Sequence, residues 1–270
     1  MNEQSGVTRS GVEEQLLLRR DEAGVAWLTL NRPAARNALS LGLMEALLAE
    51  LDAIETDAGV KAVVIAGAGP GFCAGHDLRE LRSRPERAAY QATFALCSRM
   101  MMRVVRLPKP VIARVHGVAT AAGCQLVASC DLAVAAETAR FATPGVNIGL
   151  FCSTPMVALS RAVGRKAAME MLLTGELIDA SRARALGLVN RVVPEPDLDA
   201  AVAALAGQIV AKSPLTLAIG KEAFYRQAEM SLDDAYAYAS DVMTRNMLAR
   251  DAAEGIDAFL GKRQPVWSGT

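Results

Sequence analysis

Short apolar runs alternate with stretches of helical periodicity along the first half of the chain. Strand-like runs cover residues 61–65, 110–115 and 131–135, and small-residue turns or helical patterns follow them. From about Pro155 onward the pattern is mostly helical, with one interruption at residues 188–193. The repeated unit of strand, small-residue turn and helix predicts a helix-rich protein of the α/β class.

The chain before these strands predicts a tail, a pair of strands and a helix. Residues 1–13 are polar and contain glycine, which predicts a mobile tail. Residues 15–19 and 25–30 are typical of two strands joined by a turn. Ser40 has the side chain of an N-cap for a helix that runs to about Glu55.

Residues 66–81 combine a glycine-rich turn with the start of a helical pattern, in the sequence AGAGPGFCAGHDLREL. Four glycines fall between Gly67 and Gly75, and glycine lets a main chain approach a ligand closely. A helix start presents unpaired peptide N–H groups, which can hold an oxygen that becomes negative during a reaction. The stretch lacks the GKS or GKT ending of a phosphate-binding loop, so a glycine-rich surface turn is the alternative interpretation.

A second stretch repeats this arrangement. Residues 116–123 read HGVATAAG, follow the strand-like run at 110–115 and lead into a helical run at 124–130. A second set of free backbone N–H groups would therefore lie at a helix start, where it can face the first set.

Together the two stretches resemble the crotonase superfamily, also called the enoyl-CoA hydratase/isomerase family. Six segments carry the resemblance in the family's order: LNRPAARNALS at 30–40, FCAGHDL at 72–78, KPVIARVHGVATAAG at 109–123, SCDLAVAAETARFATPGVNIGL at 129–150, TGELIDASRARALGLVNRVVP at 174–194 and EGIDAFLGKRQPVW at 254–267. The resemblance implies a spiral of ββα units over residues 14–205. It also implies a C-terminal helical region, 206–270, that assembles a homotrimer or a dimer of trimers.

The resemblance further implies an oxyanion hole made of the peptide N–H groups of His76 and Ala122. This hole would hold the thioester carbonyl of an acyl-CoA. No separate cofactor is implied, since coenzyme A enters as part of the substrate. Arg36 and Ala38 would lie along the nucleotide end of CoA, and Lys262 would close over its phosphates. The implied CoA contacts also include Ala74, His76, Asp77, Leu78 and Arg79.

The two positions that carry glutamates in typical hydratases are Gln125 and Gly145 here. A glutamine can orient a water but cannot accept its proton at useful pH, and glycine offers no side chain. The usual hydration mechanism, which needs paired acid/base groups, is therefore in question. In this respect the chain most closely resembles hydratase-domain-containing family members that lack the standard glutamates.

Candidate replacements lie on both sides of the implied site. Cys152 could be a nucleophile, although a buried cysteine is usually an inert apolar group. Ser153 could also act in catalysis, but we expect it to cap a helix that begins near Pro155. His76 could contact the substrate directly, as in decarboxylating crotonases, or could order its own loop. Asp77 is expected to cap the local helix.

Four functions stay open at this point. The first is an acyl-CoA enzyme of the hydratase/isomerase type that stabilises a thioester enolate. The second is a decarboxylase of malonyl-type CoA esters. The third is a noncatalytic acyl-CoA-binding protein, and the fourth is a purely structural oligomer with no affinity for CoA.

Composition narrows the range of partners. The 270 residues include 29 Lys+Arg and 29 Asp+Glu, so the basic excess expected of a nucleic-acid-binding protein is missing. Five cysteines without CxxC spacing and two histidines predict neither a disulfide framework nor a metal site. No apolar run approaches the roughly 20 residues of a membrane span, and no basic segment followed by an apolar one opens the chain. We therefore expect no membrane partner and a cytoplasmic location.

Overall fold

The computed structural model describes residues 15–270, and the predicted mobile tail at residues 1–13 lies outside them. Within this range the strands are β1 (Leu17–Glu22), β2 (Val25–Leu30), β3 (Ala62–Gly67), β4 (Gly71–Cys73), β5 (Val111–Val115), β6 (Val118–Thr120), β7 (Leu132–Ala136), β8 (Arg140–Ala142), β9 (Ile178–Asp179) and β10 (Arg191–Val193). The helices are α1 (Leu41–Thr56), α2 (Leu78–Ser83), α3 (Arg87–Arg106), α4 (Ala122–Ser129), α5 (Ser153–Ala162), α6 (Arg165–Thr174), α7 (Ala180–Leu186), α8 (Leu198–Val210), α9 (Pro214–Gln227), α10 (Leu232–Met247) and α11 (Arg250–Leu260).

The larger sheet has the strand order β1-β2-β3-β5-β7-β10, and all its pairs except β1 with β2 are parallel. Its central strand β3 is apolar at successive positions because both of its faces are covered. Val63 and Ile65 join the core cluster that contains the apolar face of α1. Ala62 and Val64 join a second cluster, formed with α8 on the opposite face. The predicted α/β class is confirmed.

The smaller sheet has the order β4-β6-β8-β9 and explains the glycine-rich turns. A long strand of the larger sheet leads three times into a short strand of the smaller one: β3 into β4, β5 into β6, and β7 into β8. A helix or 3₁₀ turn follows each short strand. This repeat is the predicted ββα spiral. It brings the ends of β4 and β6, which are hydrogen-bonded neighbours, to the same edge of the molecule.

A buried ion pair between Lys221 of α9 and Asp131 links this helix to the core. The Lys221 ammonium lies 2.7 Å from the Asp131 carboxylate, and its side chain is only 7% exposed. Lys221 also donates to the carbonyls of Val104 and Lys109, while Tyr225 donates to the second oxygen of Asp131. All three protons of the ammonium therefore have acceptors, as a buried charge requires. Burial lowers the pKa of Lys221, and Asp131 opposes that shift.

Among residues 15–270 no single helix is long and apolar enough to cross a membrane. One pair, Glu195–Val210 with Pro214–Gln227, passes on length and composition when taken together, but the two helices are bent by 101° at their junction.

The last residues of the chain are tied to the helical region by one buried carboxylate. Asp251 is 1% exposed, and it accepts hydrogen bonds from the Ser213 hydroxyl at 2.6 Å, from the Ser268 N–H and hydroxyl at 2.7 Å and from the Gly269 N–H at 3.0 Å. Burial alone would raise the pKa of Asp251, but these hydrogen bonds hold it at about 2. Asp251 is therefore ionised in the folded protein at neutral pH.

We expect Asp251→Asn to lower the free energy of unfolding by about 2 kcal/mol at pH 7, because the amide cannot accept all four bonds. The folded pKa lies below the ordinary value of about 3.9, so this stabilisation is full above about pH 4 and is lost as the pH falls towards 2. The difference between wild type and variant should shrink over that window. Denaturant unfolding at several pH values measures it, and Asp257→Asn, on the exposed side of the same helix, is the matched control.

Candidate functional site

Two chain segments run side by side at the edge where β4 ends. The N–H of Leu39 donates to the carbonyl of Gly75 at 2.7 Å, and the N–H of Asp77 donates back to the carbonyl of Leu39 at 3.2 Å. Ala74 donates to the carbonyl of Arg36 at 3.0 Å. The Gly75 carbonyl is thus engaged on one side of its peptide. The His76 N–H, on the other side of that peptide, has no acceptor within residues 15–270.

Asn37 and Arg32 hold this pair of segments together, and sequence reasoning did not single them out. Asn37 is fully buried with φ 54°. Its side-chain amide donates to the carbonyls of Ala68 at 2.9 Å and Gly71 at 2.8 Å, while its oxygen accepts from the Arg32 N–H. The Arg32 guanidinium lies 2.9 Å from Asp77. Asparagine tolerates positive φ and has both donors and an acceptor, which is the only signal that could have predicted this role.

Asp77 has the capping role expected of it. Its carboxylate accepts from the N–H groups of Arg79 at 3.1 Å and Glu80 at 3.2 Å, at the start of α2. Burial alone would raise the pKa of Asp77, but the ion pair with Arg32 and the backbone donors lower it below its usual value. The carboxylate is therefore a fixed structural anion beside the site.

The second loop ends at the start of α4. Ala121 has φ 50° and ψ −118°, a region that glycine prefers, and its N–H donates to the Ala142 carbonyl at 2.9 Å. Ala122 is the first residue of α4, and its N–H has no acceptor within the described residues. A Cβ on Gly123 would lie 2.1 Å from the Cys73 carbonyl oxygen. Only glycine lets α4 approach β4 this closely.

The two free N–H groups lie on touching segments. Gly75 has φ +96°, and a Cβ there would lie 3.3 Å from the Ala122 nitrogen and 2.8 Å from the Ala121 Cβ. The peptide that carries the His76 N–H therefore packs directly against the start of α4. The structure brings together the two backbone groups that the sequence suggested, from loops about 46 positions apart in the chain.

The imidazole of His76 is an unpaired polar group beside these N–H groups. Neither ring nitrogen has a hydrogen-bond partner within residues 15–270, and both are buried. The ring packs edge-on against Phe94 of α3, with centroids 5.5 Å apart and planes at 78°. Burial lowers the pKa of His76, and the nearby Leu39 backbone opposes that shift only in part, so the ring is neutral at pH 7.

Gln125 is a second buried group without a partner. It is 5% exposed, and its Oε1 has no donor among the described residues. Gln125 lies three residues after Ala122, hence on the same face of α4. The Thr143 hydroxyl, just after β8, is also buried and unpaired. Buried polar atoms are normally satisfied, so these orphans mark a position for water or a ligand.

Gly145, which the resemblance aligns with the second standard glutamate, packs closely against Cys152. A Cβ on Gly145 would lie 2.5 Å from the Leu150 carbonyl oxygen and 2.9 Å from the Cys152 sulfur, so this backbone has no room for a longer side chain. Burial raises the pKa of the Cys152 thiol, and a hydrogen bond from the Gly145 backbone opposes this only in part. The thiol is protonated at neutral pH, which disfavours a nucleophilic role.

Ser153 differs from its predicted capping role. Helix α5 begins at Ser153 itself, so Cys152 stands at the N-cap position. The Ser153 hydroxyl donates instead to the Phe151 carbonyl at 3.3 Å and is exposed to solvent. The prediction of a Ser153 cap is wrong because the helix starts two residues before Pro155, where the sequence pattern had placed its beginning.

Five of the remaining implied CoA contacts lie on the paired segments, and the sixth, Lys262, lies near the end of the chain. Arg36, Leu78 and Arg79 are exposed along the paired segments, whereas Ala38 and Ala74 are more buried there and their carbonyls accept from Arg32 and Thr120. Lys262 lies beyond α11 with φ 51°, where its N–H donates to the Phe259 carbonyl at 3.2 Å.

No group of three His, Cys, Asp or Glu side chains within residues 15–270 could hold a metal ion.

Known proteins resemble this chain over almost all of its length. Rat enoyl-CoA hydratase domain-containing protein 3, mitochondrial, is 46% identical over 256 residues, which is 95% of this chain and 85% of the rat protein. The crystal structure of an enoyl-CoA hydratase from Mycobacterium smegmatis is 56% identical, with a TM-score of 0.92 and coverage of 94% of this chain and 99% of that one. Human enoyl coenzyme A hydratase domain-containing protein 3 is 46% identical, with a TM-score of 0.91 and coverage of 94% and 100%.

The relatives correct one expectation. The rat relative, like four other vertebrate relatives, is named as a mitochondrial protein. The prediction of a cytoplasmic location is therefore wrong. It rested on the lack of a long apolar run and of a basic then apolar opening segment, and neither feature distinguishes one aqueous compartment from another.

The family profile agrees with the architecture and with the motifs that carried the resemblance. It is described as enoyl-CoA hydratase/isomerase and matches residues 20–270, which include both sheets apart from the first half of β1, the paired segments beside Gly75 and the C-terminal helices. The chain therefore belongs to the enoyl-CoA hydratase/isomerase family, the crotonase superfamily.

Proposed function

We propose that this protein binds an acyl-CoA thioester and holds its carbonyl oxygen between the N–H groups of His76 and Ala122. The observation that supports this proposal is that neither N–H group has an acceptor among residues 15–270, while their segments are in contact. An enolate oxygen would then receive two preorganised hydrogen bonds. Each well-placed donor of this kind stabilises a developing negative charge by about 3 kcal/mol.

The proposed reaction class is enolate chemistry without a pair of protein carboxylates. Gln125 replaces one standard glutamate, and the Gly145 position has no room for the other. The orphan Oε1 of Gln125 would accept a hydrogen bond from a bound water, which then carries the proton. The protein is thus an enoyl-CoA hydratase/isomerase-type thioester binder that retains enolate stabilisation and relies on water for proton transfer.

Decarboxylation of a malonyl-type CoA ester is the second candidate, and the unpaired imidazole of His76 favours it. This reaction needs no base. The bond from C2 to the carboxylate breaks and CO₂ leaves. The electron pair of the broken bond stays on the thioester and forms the enolate. The enolate then takes a proton from water at C2. A neutral imidazole can donate a hydrogen bond that orients the departing carboxylate. A noncatalytic acyl-CoA-binding protein is the third candidate.

A homotrimer, or a dimer of trimers, is proposed as the working assembly. The C-terminal helices support it with large apolar side chains that are largely solvent-exposed, namely Leu232, Tyr236, Leu248, Phe259 and Leu260. Large apolar side chains left in solvent are often covered by a partner subunit.

The first test measures binding and turnover of the wild-type protein. We expect calorimetric binding of butyryl-CoA and malonyl-CoA, slow or absent hydration of crotonyl-CoA, and release of CO₂ from malonyl-CoA if the second candidate holds. Binding without turnover of either ester would favour the noncatalytic reading. No binding of any ester would overturn the acyl-CoA proposal.

The second test blocks the space between the two N–H groups. Gly75→Ala adds a methyl group 3.3 Å from the Ala122 nitrogen, so we expect the affinity for butyryl-CoA to fall at least about tenfold. Free coenzyme A, which has no thioester carbonyl, should bind the variant as it binds wild type. Gly207→Ala in α8 is the control, since a Cβ there meets no atom within 4 Å. An unchanged affinity for butyryl-CoA in the folded Gly75→Ala protein would contradict the proposed oxyanion hole.

The third test supplies the missing base. Gln125→Glu places a carboxylate where the orphan amide now lies, and a positioned general base contributes about a hundredfold or more. We expect crotonyl-CoA hydration to rise at least about tenfold, and to rise further with pH, because burial raises the pKa of a carboxylate there. The leucine of Gln125→Leu has a similar shape but cannot form a hydrogen bond to water, so this variant should show no increase in the hydration rate. Equal hydration rates for the two variants would show that Gln125 does not face the reacting carbon.

A further inference from the structure

The Thr143 hydroxyl is a buried polar group that makes no bond within its own loop. Thr143 lies directly after β8 and is fully buried, and its Oγ1 has no hydrogen-bond partner within residues 15–270. It stands at the N-cap position of the 3₁₀ turn Pro144–Ile148, yet its side chain makes no cap hydrogen bond. Burying a hydroxyl without a partner is unfavourable, so this group indicates a position for a bound water or ligand.

Thr143 and Gln125 are anchored to the same residue, Ala121. The Ala121 N–H donates to the carbonyl of Ala142, the residue before Thr143, at 2.9 Å. The Ala121 carbonyl accepts from the Gln125 N–H at 3.0 Å, which closes the first turn of α4, about 5.4 Å long. Both side chains therefore start from backbone beside the beginning of α4, where the Ala122 N–H also lies.

The two side chains have complementary hydrogen-bonding capacity, but they are not bonded to each other. The Gln125 Oε1 is only an acceptor, whereas the Thr143 hydroxyl both donates and accepts. A direct bond would satisfy both atoms, yet both stay unpaired in the part of the chain that the structure describes. One water between them would donate to Oε1 and accept from the hydroxyl. It would then have two polar partners from the protein, the least that a buried water requires.

We propose that Thr143 is a positioning residue, which together with Gln125 holds the water that carries the proton in the proposed thioester reaction. This inference rests on that proposed reaction and adds a residue to it. Gln125 alone offers the water an acceptor for one hydrogen, whereas Thr143 supplies the donor that fixes the position of its oxygen.

These two hydrogen bonds fix the direction of the proton transfer. One hydrogen of the water is bound to Gln125 and its oxygen accepts from Thr143, so the second hydrogen is left for the substrate. In the transfer this O–H bond breaks, and its proton forms a C–H bond at C2 with the electron pair of the enolate. The hydroxide that remains accepts the Thr143 hydrogen bond and then takes a proton from solvent.

High-resolution crystal structures of the protein test the shared water directly. We expect one ordered water within about 3.2 Å of both Gln125 Oε1 and Thr143 Oγ1 in the wild type. Thr143→Ser keeps the hydroxyl and should keep this water, whereas Thr143→Val should lose it. Thr93→Val is the matched control, because Thr93 is also buried but its hydroxyl donates to the Ala89 carbonyl at 3.0 Å.

Deuterium exchange at C2 of butyryl-CoA measures the proton transfer in solution. The reverse of the proposed step removes a C2 proton, so in D₂O the thioester should gain deuterium, which mass spectrometry detects. Thr143→Val should lower this exchange rate at least about tenfold, and Thr143→Ser should restore it. The calorimetric affinity for butyryl-CoA should stay within about twofold of wild type, because the two peptide N–H groups are unchanged. Thr93→Val should change neither quantity.

Two results would overturn the inference. One is a wild-type crystal structure in which no single water contacts both side chains. The other is C2 exchange that is absent from the wild type or unchanged in Thr143→Val. Either result leaves the thioester site intact as long as butyryl-CoA binds and Gly75→Ala weakens that binding. Failure of every ester to bind would instead remove the thioester site, and the role of the water with it.

Discussion

The hydrogen bond from the Leu39 N–H to the Gly75 carbonyl governs the geometry of the site. A peptide has one donor and one acceptor on opposite sides, so engaging the carbonyl fixes the direction of the following N–H. Arg32 and Asn37 keep the donor segment in place, and Gly123 brings α4 against β4 from the other side. The function proposed here depends on main-chain positions, so it does not require side-chain carboxylates at positions 125 and 145.

The absence of those carboxylates changes the electrostatics of the site as well as its chemistry. The buried polar side chains on the two segments are the neutral imidazole of His76 and the amide of Gln125, and neither carries a negative charge that would oppose an anionic substrate. The ionised groups nearby, Asp77 and Arg32, neutralise each other in an ion pair. A pocket of this kind tolerates anionic acyl groups that a pair of glutamates would repel.

Local signals in the sequence were sufficient to predict the main strands and two of the helix caps. The apolar runs that became β3, β5 and β7, and the caps at Ser40 and Asp77, depend on neighbours within a few residues, which a sequence pattern records directly. The Ser153 cap failed because α5 begins at Ser153 itself, with Cys152 at the N-cap position. The three hydrogen bonds of the Asn37 side chain join segments that are distant in the chain, so no single stretch could reveal them.

The contact between Gly145 and Cys152 constrains the order in which this site could change during evolution. A side chain at position 145 would meet the Leu150 carbonyl and the Cys152 sulfur, so the main chain of the 145–152 loop must shift before a glutamate can be accepted there. Replacing Gln125 by glutamate requires no shift of the main chain, since the glutamine side chain already occupies a buried space of the same size. A lineage that lost both carboxylates in this way can regain the first in one step but the second only after its loop has moved. The loss is therefore easier to make than to reverse, and it would tend to persist even under renewed selection for hydration.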